Sequence, residues 1–125
     1  MGQASDDALL TATDVVIQLS ELGRELDGLV RAMKAAEFDA VTMRHEADMV
    51  ESRAFVAAVG SVELRKHLAR LASDGPEAKA LVAESTCRWL KARIRSVEIR
   101  VEIGRSYGAA VRSELRTVGY AEQVS

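Results

Sequence analysis

One apolar frame runs through the first half of the chain without a phase slip. Stepping alternately by three and four residues from Ala12, it visits Val15, Leu19, Leu22, Leu26, Leu29, Met33, Ala36, Ala40, Met43, Ala47, Val50, Ala54 and Ala57. It then passes through Ser61 to Leu64, Leu68 and Leu71, with Ser61 its one polar member. A three-and-four repeat of this length describes a coiled-coil seam, and it excludes any fold whose strands need strict alternation.

The same frame limits where the first helix can end. Gly60-Ser61 invites a break, because serine is a favoured N-cap. A break usually resets the phase, however, and here the phase is kept. The expectation is therefore one helix from about Thr13 to Ala72, capped at Thr11, Thr13 or Asp14. At 1.5 Å per residue it would be roughly 90 Å long. Gly23, Gly28 and Gly60 each weaken it, and a break near Gly23 or Gly28 would let the N-terminal segment fold back as a third helix. The strongest punctuation is Ser73-Asp74-Gly75-Pro76-Glu77. Asp74-Gly75 suits a tight turn, Pro76 the first position of a helix, and Glu77 the positive end of its dipole.

A second frame follows through Ala80, Ala83, Cys87, Leu90, Ile94, Val97, Val101, Gly104, Gly108, Val111, Leu115 and Val118. It predicts a helix from Pro76 to about Val118, with Gly119 as its stop. Residues 97–103 alternate Val-Glu-Ile-Arg-Val-Glu-Ile as a strand would, but they stay in phase with the frame and have no flanking turn, so they read as helix. A short turn makes the two helices antiparallel neighbours. Folding about Asp74-Gly75 would set Val118 near Val30, Gly108 opposite Ala40, and Gly104 near Met43 and Ala47. Gly104 and Gly108 then mark close helix packing, since no strand–loop–helix context supports a phosphate loop.

The expected fold is all-α: a long antiparallel helical hairpin, or coiled coil, forming a single domain over 1–125 and assembling into an oligomeric bundle. Residues 1–11 would be a flexible N-terminus and 119–125 a flexible tail. Residues 12–29 would overhang the shorter second helix and expose Leu19, Leu22, Leu26 and Leu29 as an oligomerisation stripe. Apolar residues off the seams, among them Val41, Phe55, Val56, Val82, Trp89, Ile99 and Ile103, also point to self-association.

Composition narrows the chemistry. At 125 residues and 13.6 kDa the chain suits one domain. Aromatics are only 4%, which disfavours a sandwich or barrel. A single cysteine, Cys87, excludes an intrachain disulfide or a multi-thiolate metal site, and it falls on the second seam as a packing thiol. His45 and His67 lie far from Cys87 and from each other, and no Glu-x-x-His pair is present. No catalytic residue, metal site, cofactor or small-molecule substrate is expected. With no long uncharged apolar run and a polar N-terminus that lacks signal-peptide character, the expected location is cytoplasmic, in an infected bacterial host if the chain is phage-encoded.

The net charge of −2 hides a division. Residues 1–60 hold eleven acids and five bases, whereas residues 61–125 hold eight acids and twelve bases. Arg88, Lys91, Arg93, Arg95, Arg100, Arg105, Arg112 and Arg116 make the second helix basic, and Trp89 and Tyr107 interleave with them. Bases with aromatic faces suit single-stranded nucleic acid, through counter-charge along phosphates and surfaces for base stacking. Neutralisation of the two halves against each other across the hairpin is the plainer alternative.

The residues Ala54-Phe55-Val56-Ala57-Ala58-Val59-Gly60-Ser61-Val62-Glu63-Leu64-Arg65-Lys66 resemble a stretch of small helical proteins from phages of actinobacteria. The resemblance extends to Leu90-Lys91-Ala92-Arg93-Ile94-Arg95, to Glu102-Ile103-Gly104-Arg105-Ser106 and to Arg112-Ser113-Glu114. Over roughly residues 30–118 the layout is similar to phage recombination mediators of the UvsY type. That resemblance implies a non-enzymatic homo-oligomer that binds single-stranded DNA in recombination or replication, with a recombinase or single-strand-binding protein as partner. It implies DNA contacts from the bases between Arg88 and Arg116. The alternative is a coiled-coil interaction module with no nucleic-acid role, either a phage assembly component or a protein that binds a host factor.

Overall fold

The computed structural model describes the backbone from Thr11 to Val124 and side chains as far as Gly119. The expected flexible segment over 1–11 lies outside the described residues, apart from Thr11. Among the described residues there are two α-helices, α1 over Ala12–Ala57 and α2 over Val62–Val124. The all-α hairpin follows from the sequence as expected, but its turn lies elsewhere.

The chain reverses at residues 58–61, not at Asp74-Gly75. Gly60 takes φ +126°, in the region that favours glycine, and is the one described residue with positive φ. A Cβ placed there would sit 2.8 Å from Leu64 Cδ2. Ser61 caps α2, its Oγ accepting from the Leu64 N–H at 3.2 Å. Arg65 then reaches back ten residues, where its Nε–H donates to the Phe55 carbonyl at 3.2 Å. Its guanidinium stacks 4.3 Å from the Phe55 ring centroid. That contact satisfies a carbonyl that the end of α1 leaves without a helical donor.

The Ser73–Glu77 segment lies inside α2, contrary to the sequence expectation. Pro76 removes one helical N–H, which costs on the order of 3 kcal/mol in a helix interior. Packing outweighs it, because the second frame extends backwards through this segment. Ala80, Ser73 and Ala69 are buried and Pro76 is half-buried. Buried Ser73 donates its hydroxyl to the Arg70 carbonyl at 3.3 Å, so no polar group is stranded. Leu64, Leu68 and Leu71 had only seemed to prolong the first seam. They lie on the outer side of α2, with Leu71 62% exposed.

At its other end α1 begins with a reciprocal cap, choosing Thr11 among the three candidates. The Asp14 N–H donates to Thr11 Oγ1 at 3.2 Å, and the Thr11 N–H donates to Asp14 Oδ2 at 3.0 Å. These Thr11 bonds, the backbone one first, hold the Asp14 carboxyl below its ordinary pKa. α1 runs unbroken through Gly23 and Gly28, so the break that would let the N-terminal segment fold back there does not occur. Gly119 does not stop α2, and the expected tail over 119–125 is helical as far as Val124.

Both helices pass through two compact units. One unit joins α1 up to Gly28 with α2 from Ile94, and the other spans Leu29–Arg93. In the first, Val15, Val97 and Gly108 are buried, and Leu19, Leu22, Leu26 and Val101 are half-buried. In the second, Ala40, Ala47, Ala69, Ala80 and Leu90 are buried and Cys87 is half-buried. All but Ala69 lie on the predicted seams, which face inward from Val15 to Ala54 and from Ala80 to Val111, while Ala12, Ala57, Leu115, Val118 and the Ser61, Leu64, Leu68 and Leu71 continuation of the first frame are exposed. Among the described residues, no helix is long and apolar enough to cross a membrane.

Candidate nucleic-acid interface

The new turn position changes what meets what. Residues 12–29 do not overhang. Leu19 packs on Gly104, where an added Cβ would lie 2.8 Å from Leu19 Cδ2, and Val15 packs on Gly108 at 3.2 Å. The two glycines do permit close approach, but to branched side chains of α1 and not to Ala40, Met43 or Ala47. Leu19, Leu22 and Leu26 are thus half-buried within their own unit, and Leu29 half-buried in the other. A free leucine stripe for oligomerisation is not present.

The basic residues divide between the units. Arg88, Trp89, Lys91 and Arg93 belong to the Leu29–Arg93 unit, while Arg95, Arg100, Arg105, Tyr107, Arg112 and Arg116 belong to the other. The ion pairs of Arg44 run from a base on α1 to acids on α2. Arg44 Nη1 meets Glu77 Oε2 at 2.6 Å, and Arg44 Nη2 meets Glu84 Oε1 at 2.6 Å. Arg44 Nε adds a longer bond to Glu84 Oε2 at 3.4 Å, making that contact side-on. The hydrogen bond from Arg44 holds the Glu84 carboxyl below its usual range, and Glu84 and Glu77 raise the Arg44 guanidinium further above its own. Arg95, Arg100, Arg105, Arg112 and Arg116 are exposed, with no ion-pair partner among the described residues.

Two grooves flank the helix pair in the terminal unit, and they differ in charge. One, of about 210 Å³, is lined by Ala12, Val15, Val16, Leu19 and Gly108 together with Arg105 and Arg112, with no acid among the described residues of its wall. Arg116 follows one turn beyond Arg112 on the same helix. The other groove, of about 460 Å³, holds Arg100 and half-exposed Tyr107, but also Glu21 and Glu25. Within the terminal unit the predicted site residues fall into two grooves. Arg105 and Arg112 share an apolar groove, Arg100 and Tyr107 share an acidic one, and Trp89 stands in the other unit at 64% exposed.

The pairing of Arg105 with Arg112 was legible as a seven-residue spacing, two turns of one helix. The bare α1 wall opposite them was not, because it depended on where the turn falls. Among the described residues, no group of three His, Cys, Asp or Glu side chains is placed to hold a metal ion. No family model, curated protein or solved structure matches the chain.

Proposed function

We propose that the protein is a non-enzymatic single-stranded-DNA-binding accessory protein that contacts phosphates through Arg105 and Arg112, with Arg116 extending the track. The observation that carries this reading is the groove in which two arginines, without an ion-pair partner among the described residues, face an α1 wall whose described residues include no acid. A phosphate entering it meets two guanidinium groups and no carboxylate among the described lining residues, and each guanidinium can bind phosphate bidentately. Apolar walls reduce solvent screening of that attraction. No aromatic side chain lines this groove, so binding is electrostatic and indifferent to base sequence. The resemblance to UvsY-type mediators supplies the setting, phage recombination, in which such a protein prepares a strand for a recombinase.

Anisotropy of a labelled oligo-dT tests the reading. Binding should weaken as salt rises, with a log–log slope of about −0.7 for each phosphate engaged. Arg105→Glu and Arg112→Glu should each weaken it by about tenfold, whereas Arg100→Glu, set in the acidic groove, should matter less. Affinity that ignores salt or both reversals would sink the proposal. The exposed apolar side chains of the Leu29–Arg93 unit favour a second reading, a protein-interaction module, and a chain that associates with protein but not with DNA would support it.

A further inference from the structure

We propose that one side of the Leu29–Arg93 unit is a docking face for a second copy of this chain, giving a two-fold four-helix bundle. The two sides of this unit are chemically unlike. One carries the Arg44–Glu77 and Arg44–Glu84 ion pairs, with His45, Asp48 and exposed Val41 beside Arg44 and Glu84 in a shallow, charge-lined recess. On a different side of the helix pair lies an open groove of about 450 Å³ formed by Ala36, Met43, Ala78, Val82 and Ala83. Its small side chains leave room for the ridge of another helix. Val82 is 68% exposed, and Trp89, two turns further along α2, is 64% exposed. Such side chains beside a small-residue groove make knob and hole on one surface, which a two-fold axis can match to itself.

Charge identifies the occupant. The groove has one acid and one base, Asp39 contributed by α1 and Lys79 by α2. Neither has an ion-pair partner among the described residues. A two-fold axis parallel to the helices sets each α1 against the α2 of the second copy, antiparallel to it. Asp39 of each copy then meets Lys79 of the other, twice per interface. A second copy thus supplies the complementary pattern with no further assumption. The extent falls within the range of stable interfaces, about 600–1,000 Å² per partner. A helix stretch from residue 32 to 56 spans about 37 Å, and two adjacent helices offer a face about 20 Å wide, roughly 700 Å² per partner. This inference uses the unit that holds neither Arg105 nor Arg112, so it stands apart from the DNA reading.

Light scattering across a dilution series tests it with the full chain. Wild type should have twice the 13.6 kDa chain mass and dissociate on dilution. Asp39→Lys alone and Lys79→Glu alone each bring like charges together twice, and should weaken self-association by about tenfold. Mixed in equal amounts, the two variants should pair with each other at near wild-type strength, because each carries the complement of the other. Both positions are exposed, so helicity by circular dichroism should be unchanged. Val41→Glu, in the recess beside Arg44, should leave the dimer intact. A wild-type monomer at every concentration, single variants that associate as wild type does, or a mixture that fails to pair would each overturn the proposal.

Discussion

Two glycines of the same sequence type have opposite consequences. Gly60 sits at φ +126° with Leu64 Cδ2 2.8 Å from where a Cβ would be. Gly75 is helical and would meet nothing within 4 Å. Gly60→Ala should therefore lower stability by about 1 kcal/mol or more, through both strain and contact. Gly75→Ala should raise it by about 0.5–1 kcal/mol, by removing helix-interior glycine entropy. Thermal melts of the two variants read the location of the turn directly, and a destabilising Gly75→Ala would restore the turn to Asp74-Gly75. A second residue-scale expectation concerns Arg44. Glu84 has a depressed pKa in the folded chain, so its contribution is full above the ordinary glutamate value of about 4.3 and fades as pH falls through the folded value. Wild type should thus lose stability on acidification more steeply than Glu84→Gln, measured by denaturant unfolding between neutral pH and about pH 3. Parallel pH profiles would count against the pairing.

At the scale of the helices, the seams were readable and their connection was not. Val15 to Ala54 on α1, and Ala80 to Val111 on α2, face inward as their three-and-four spacing requires. The turn escaped because Leu64, Leu68 and Leu71 keep the numerical phase of α1 while belonging to the outer side of α2. Periodicity reports a face, not the partner against which that face packs. Ser73 and Pro76 misled for a related reason: both look like punctuation, and both occupy inward positions that small residues fill well. The Arg105–Arg112 spacing was visible as a repeat on one helix, but the acid-free wall opposite it depended on pairing Gly108 with Val15. One consequence concerns the leucines once expected to be free. Leu22→Asp should loosen the unit that contains it, by about 2 kcal/mol for a half-buried position. Hydrogen exchange should then show lost protection in both 15–28 and 97–108. Lost association with those amides still protected would return Leu22 to an intermolecular role.

For the whole molecule, the two proposed surfaces fall in different compact units, so their effects should separate. Arg105→Glu should reduce strand binding while leaving the mass in light scattering unchanged. Asp39→Lys should reduce the mass, and strand affinity only as far as two linked grooves bind more tightly than one. If the Arg105 reversal also dissociates the protein, the two surfaces are not independent. The clasp between Arg65 and Phe55 has a further consequence, for the order of events in folding. It joins residues only ten positions apart, around a turn already bent by Gly60 and capped by Ser61. Closing so short a loop costs little chain entropy, whereas bringing Val15 to Gly108 first would close a very long one. The hairpin should therefore nucleate at its middle and zip outward. Substitutions near the turn would slow folding, and those near Val15 would chiefly speed unfolding.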